Sequence, residues 1–233
     1  EKGVLSAALL PSVLETELNG EAVKITLDTE YPFRGALRYA VNCTRPASFE
    51  LAVRIPSFAA GATVNGETAK PGEIFRIEKE WRDGETVDVA LTFEAKLVPA
   101  ANGMFTLQRG ALYFALPLAA QSFAWEYERS GIRRKAPYCD YKIFPQEAWG
   151  YAFAGDTFHV IEHPVGAYPF SREEPPVQIE ADLAQIEWDA LPGQPGVCAE
   201  TPASLVPTAL RRRALQPYGC TTLRMTMMPD VSC

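Results

Sequence analysis

Apolar and polar residues alternate with period two along most of this chain, and that pattern is the strongest constraint on its fold. Alternation sends successive side chains of an extended segment to opposite faces, one for a core and one for water. Val23, Ile25 and Leu27 alternate with Lys24, Thr26 and Asp28, and Leu37, Tyr39, Val41 and Cys43 with Arg38, Ala40 and Asn42. Phe49, Leu51, Val53 and Ile55 alternate with Glu50, Ala52 and Arg54, and Val87, Val89, Leu91 and Phe93 with Asp88, Ala90 and Thr92. Each run reads as a strand with one buried face.

The turn chemistry agrees. Asn65-Gly66 and Asp83-Gly84 supply residues that tolerate positive φ where tight hairpins need it, and Phe105–Leu107 and Ala111–Leu116 flank Arg109-Gly110. Strands this numerous cannot bury their apolar faces in one open sheet. The pattern resumes at Phe123–Tyr127, Tyr141–Phe144 and Trp149–Phe153, then at Val177–Leu183 and in the closing run Leu223, Met225 and Met227. Nineteen prolines argue against long helices, because an interior proline removes a donor and clashes with the preceding turn. The expectation is an all-β chain of two antiparallel β-sandwich, jelly-roll-like units, 1–118 and 119–233, with little helix. Residues 190–207 read as a long surface loop.

A net charge of −7 and a pI near 5.0 would repel a phosphate backbone, so nucleic acid is not an expected partner. The basic triplets Arg133-Arg134-Lys135 and Arg211-Arg212-Arg213 read as solvated strand or loop. No window has the continuous apolar run of a membrane span. The five cysteines, Cys43, Cys139, Cys198, Cys220 and Cys233, are scattered without metal-ligand spacing and read as thiols. A reducing, cytoplasmic compartment is the matching expectation. Gly3–Ser12 opens in mid-pattern without an initiator methionine, as though further chain precedes it.

Candidates for chemistry stay diffuse. His159 and His163, the only histidines, lie four apart with Glu162 between them and would share one face, but no third metal ligand stands nearby. Paired-carboxylate catalysis needs two acids across a cleft, and Glu30, Asp83, Glu94, Asp140, Glu147, Glu187 and Asp189 are scattered, Asp83 being explained as a turn residue. Trp81, Trp125, Tyr127, Trp149 and Tyr151 could stack sugars, although core packing accounts for most of them. There is no nucleophile elbow, phosphate-binding glycine loop or zinc-protease helix motif. The expectation is no catalytic, cofactor-binding or metal-ligating residue in this chain.

Several stretches, in order, resemble the β-sandwich region that follows the helical barrel in glycoside hydrolase family 127, the β-L-arabinofuranosidase-like family. They are Thr29-Glu30-Tyr31-Pro32-Phe33, Phe49 through Phe58, Val64-Asn65-Gly66-Glu67, Trp81 through Glu85, Gln108 through Tyr113, Asp140-Tyr141 through Ala152, and Gln216 through Thr226 followed by Pro229. The resemblance covers nearly the whole chain and rests on their joint order and spacing.

It implies a catalytic (α/α)6 barrel upstream, in which a glutamate and a cysteine cluster hold zinc and one cysteine is the nucleophile. None of those positions lies here, and Cys220 does not match the family's adjacent-cysteine site. The implied partner is the barrel of the same parent protein, with a homodimer and weak carbohydrate binding as further expectations. The function so implied is a non-catalytic C-terminal support for that barrel. The alternatives are a free-standing carbohydrate-binding module and an independent enzyme using His159 and His163.

Overall fold

The computed structural model describes residues 2–193, 197–202 and 204–231. They form two compact units, Glu1–Glu94 with Arg109–Leu112, and Ala95–Gln108 with Tyr113–Cys233.

The first unit contains β1 (Gly3–Ser6), β2 (Ser12–Leu18), β3 (Glu21–Thr29), β4 (Ala36–Cys43), β5 (Ala47–Arg54), β6 (Gly61–Val64), β7 (Glu67–Ala69), β8 (Ile74–Trp81) and β9 (Glu85–Thr92). A three-stranded sheet, β1-β5-β8, faces a six-stranded one, β2-β3-β4-β9-β6-β7. One core lies between them, and the alternation builds it: Val23, Ile25 and Leu27 from β3, Tyr39 and Val41 from β4, Leu51 and Val53 from β5, Val87 and Val89 from β9. Each fully buried aliphatic side chain contributes about 1.5–3 kcal/mol.

The turns are partly as expected. Asn65 and Gly66 take φ 49° and 82° in a two-residue hairpin joining Val64 to Glu67, the geometry that favours Asn-Gly. Asp83-Gly84 does not close a hairpin. It carries the chain from β8 in one sheet to β9 in the other, and Asp83 Oδ1 accepts from Asn42 Nδ2 and Cys43 N at 3.1 and 3.2 Å, which ties the crossing to the end of β4. The expected antiparallel pattern has an exception in this unit, since β1 runs parallel to β5.

The second unit contains β10 (Ala95–Pro99), β11 (Phe105–Arg109), β12 (Leu112–Pro117), β13 (Ala120–Trp125), β14 (Tyr127–Arg129), β15 (Ile132–Arg134), β16 (Asp140–Pro145), β17 (Tyr151–Phe153), β18 (His159–Glu162), β19 (Val177–Gln185), β20 (Ala209–Pro217) and β21 (Arg224–Met225). The division expected at 118 assigned β10 to β12 to the first sandwich. They lie instead in an eight-stranded sheet ordered β10-β11-β12-β20-β19-β17, with β18 on β19 and β21 on β12. Phe114 and Ala115 pair with Pro217 and Gln216, which places β12 beside β20 in this sheet. β13 and β16 form a ribbon of their own, as do β14 and β15.

The segment after β21 links two strands of this sheet. Met228 and Phe105 exchange backbone hydrogen bonds of 2.8 and 3.0 Å, which joins residue 228 to β11. Phe153 N donates to Pro229 O at 2.8 Å and Val231 N donates to Phe153 O at 2.9 Å, which joins the same segment to β17. Residues 228–231 therefore bridge β11 and β17, while β10 remains a terminal strand of the sheet. Tyr151, Ala152 and Phe153 are all buried, so both faces of β17 are covered. Two three-residue 3-10 turns, Ala101–Gly103 and Tyr218–Cys220, are the only helical elements among the described residues. No helix there is long and apolar enough to cross a membrane. Residues 190–207 carry no strand where described, and 194–196, 203 and Cys233 lie outside the described residues.

Candidate functional site

The two histidines sit at either end of a short edge strand. His159 pairs with Glu180 across β18 and β19, His163 N donates to Pro176 O at 2.9 Å, and both are exposed. Among the described residues, no three His, Cys, Asp or Glu side chains converge as metal ligands would.

The acids are dispersed and several have partners. Glu30 pairs with Arg34 at 3.9 Å, and Asp140 accepts from the Tyr127 hydroxyl at 3.4 Å. Glu147 Oε1 accepts from Ala119 N at 2.7 Å, while its Oε2 meets Arg213 at 3.1 Å. Glu94 is exposed. Of the second basic triplet, Arg212 grips Asp182 through two hydrogen bonds of 3.0 and 3.1 Å. That bidentate contact holds the Asp182 carboxyl below the usual carboxylate range. Arg213 donates to the Tyr151 hydroxyl at 3.0 Å. Arg133, Arg134 and Lys135 are solvated, as expected.

The aromatic residues divide three ways. Trp81 and Tyr151 are core side chains. Trp125 and half-buried Tyr127 stand on the paired ribbons, where Phe123 and Phe144 meet edge to face at 6.0 Å. The Lys142 ammonium lies 3.5 Å from the Trp125 ring centroid and occupies one face that a sugar would need.

Trp149 packs on Trp188, with ring centroids 5.8 Å apart. Gly150 makes that packing feasible, because a Cβ there would stand 2.6 Å from Ile186 O and 3.1 Å from Trp188 Cβ. The close approach is sealed by Ile186 N donating to Gly150 O at 3.0 Å. The Trp188 indole donates to Ala199 O at 3.1 Å, which fixes its ring against the segment after β19.

An open groove of about 760 Å³ follows, lined by Glu187, Trp188, Asp189 and Glu200 together with Ser204 and Thr208. An indole beside carboxylate and hydroxyl acceptors, with no lysine or arginine in the lining, suits a neutral polyhydroxylated ligand: rings stack sugars and carboxylates accept from their hydroxyls. The sequence reading singled out Glu187 and Asp189 but missed Trp188 between them and Glu200 across the groove. The available signal was Glu-Trp-Asp, where the alternation of β19 breaks off.

Comparison with known proteins follows the architecture. Residues 3–93 match the family described as Beta-L-arabinofuranosidase, GH127 middle domain. No curated protein matches. Among solved structures, Ara127N, a GH127 beta-L-arabinofuranosidase from Geobacillus stearothermophilus T6, is similar at 21% identity and TM-score 0.61, over 97% of this chain and 33% of that one. The GH127 beta-arabinofuranosidase BT3674 is similar at 16% identity and TM-score 0.62, over 98% of this chain and 35% of that one. A structure described as a glycoside hydrolase is similar at 18% identity and TM-score 0.61, over 94% and 34%. At these identities the likeness is one of fold, and this chain spans about a third of the length of each.

Proposed function

We propose that this chain is the non-catalytic β portion of a glycoside hydrolase of the β-L-arabinofuranosidase kind, and that it supports a catalytic (α/α)6 barrel lying outside these residues. The observation that carries this reading is the coverage: nearly all of this chain aligns with only a third of a GH127 enzyme, and residues 3–93 match that family's middle domain. In this reading zinc and the nucleophile belong to the barrel, and the chain's own contribution is a rigid surface. The test is to produce the Ara127N barrel alone and in one polypeptide with this chain. A higher thermal midpoint and soluble yield for the joined form support the reading, and identical behaviour with and without the chain would overturn it.

A second reading is favoured by the Trp188 groove. Its indole, carboxylates and hydroxyls are the side chains that hold a neutral glycan, so the chain would also bind the enzyme's substrate weakly. Calorimetric titration with arabino-oligosaccharides tests this. Saturable binding in the millimolar range supports it, and no heat at any concentration counts against it.

A further inference from the structure

We propose that the outer edge of β1 is a strand-docking site. It accepts an extended, uncharged polypeptide segment with apolar side chains at alternate positions, which adds a fourth strand to the three-stranded sheet.

The first observation concerns the backbone. Glu50 N donates to Lys2 O at 3.2 Å, and β1 then runs parallel to β5 in the register Gly3 to Glu50 and Leu5 to Ala52. In a parallel ladder only alternate residues of a strand bond to a given neighbour. The bonded residues of β1 are thus those in phase with Lys2, and Gly3 and Leu5 direct their N–H and C=O groups away from β5. Among the described residues β1 ends its sheet, with nothing paired beyond it. Side chains cannot satisfy such a row as evenly as another strand does.

The second concerns width. Three strands face six, and the deficit shows at this end. Leu14 lies opposite Ile25, on the face that Ile25 turns to the core, yet it is 43% exposed, and Leu5 and Leu10 are 53% and 52% exposed. An apolar groove of about 430 Å³ opens there, lined by Val4, Leu9, Leu10, Leu14, Ile25 and Leu27 among others. Of its three hydroxyls, from Ser6, Ser12 and Tyr39, two are already mutual, Tyr39 donating to Ser6 Oγ at 2.8 Å.

The third concerns charge. Natural edges are protected by charged side chains, as β2 is by Glu15 and Glu17, β7 by Glu67, and β8 by Glu78, Lys79 and Glu80. β1, Gly-Val-Leu-Ser, has none. Its Gly3 is committed to close pairing, since a Cβ would meet Glu50 O at 2.6 Å. A second copy of the chain is a poor occupant, because a four-residue edge falls far short of the roughly 800 Å² per partner of a stable interface. A glycan is no better, as the groove offers mainly apolar walls, with Ser12 the one hydroxyl outside the Tyr39–Ser6 pair and no charged side chain among its lining residues.

The test is amide exchange on the full chain with and without the acetylated, amidated hexapeptide Thr-Val-Thr-Val-Thr-Val. The peptide should slow exchange at Gly3 and Leu5 saturably by about tenfold or more, since a paired amide exchanges only through opening, and should leave β2 and β7 unchanged. Leu5→Pro removes an outward N–H that bonds nothing in the free chain, so it should keep the fold and lose the protection. No protection at saturating peptide, equal protection of every edge, or protection that grows with protein concentration alone would each overturn the proposal.

Discussion

Trp81 lies stacked on Phe49, with ring centroids 5.5 Å apart and planes 23° from parallel, and its indole donates to the Phe49 carbonyl at 3.0 Å. The ring has no exposed surface, so it ties β8 to β5 and serves the core, not a sugar. Trp81→Ala should destabilise the chain by about 3–5 kcal/mol through the cavity it leaves. Trp81→Phe keeps most of the burial and loses the hydrogen bond, for about 1–3 kcal/mol. Denaturant unfolding followed by fluorescence checks both, and an Ala variant as stable as the parent would contradict the assignment.

The bridge that residues 228–231 make between β11 and β17 gives a separate prediction. Met228 is fully buried, and Met228→Ala should cost about 2–5 kcal/mol. Because the segment bonds both β11 and β17, amide exchange should accelerate around Phe105 and Phe153 together, while β4 and β9 stay protected. Acceleration at only one of the two strands would show that the segment does not tie them together.

The buried thiols give a pH-dependent prediction. Burial pushes the Cys220 thiol up to about 11 from an ordinary 9.0, and burial, followed by the charges of Asp83, Glu85 and Glu21, raises Cys43. The folded state then holds these protons more tightly than the unfolded chain. The associated stability is complete below pH 9 and, for Cys220, is lost as the pH rises towards 11. Cys220→Ala should flatten that alkaline decline in the thermal midpoint. At pH 8 a thiol reagent read by mass spectrometry should modify Cys139 and Cys198 before Cys43 and Cys220, whose side chains are buried.

Trp188→Ala separates the groove from the scaffold. The residue is half-buried and lines the groove, so its loss should abolish any millimolar arabino-oligosaccharide binding while the far-ultraviolet dichroism of the strands persists. Undiminished binding would place the glycan elsewhere on the chain.

Much of the fold was legible because burial on one face leaves a period of two. β3, β4, β5, β9 and β19 stand where that period is cleanest. β20 escaped notice because Arg211, Arg212 and Arg213 interrupt its pattern, and only Leu215 and Pro217 are buried. The positive charges find partners across the sheet in Asp182 and Glu147, which a local period cannot reveal. The closing strand read over Leu223 to Met227 shrinks to Arg224–Met225, because Met228 takes up its own pairing with Phe105. The candidate groove was only half legible: Glu187 and Asp189 stood out as acids, but Glu200 joins them only when Ala199 N bonds to Asp189 O at 2.8 Å.

The most direct test is turnover by the purified chain, with zinc supplied, on 4-nitrophenyl β-L-arabinofuranoside. The account predicts a rate indistinguishable from buffer, unchanged by His159→Ala or His163→Ala. Sustained release of nitrophenol that a single substitution within these residues abolishes would contradict it.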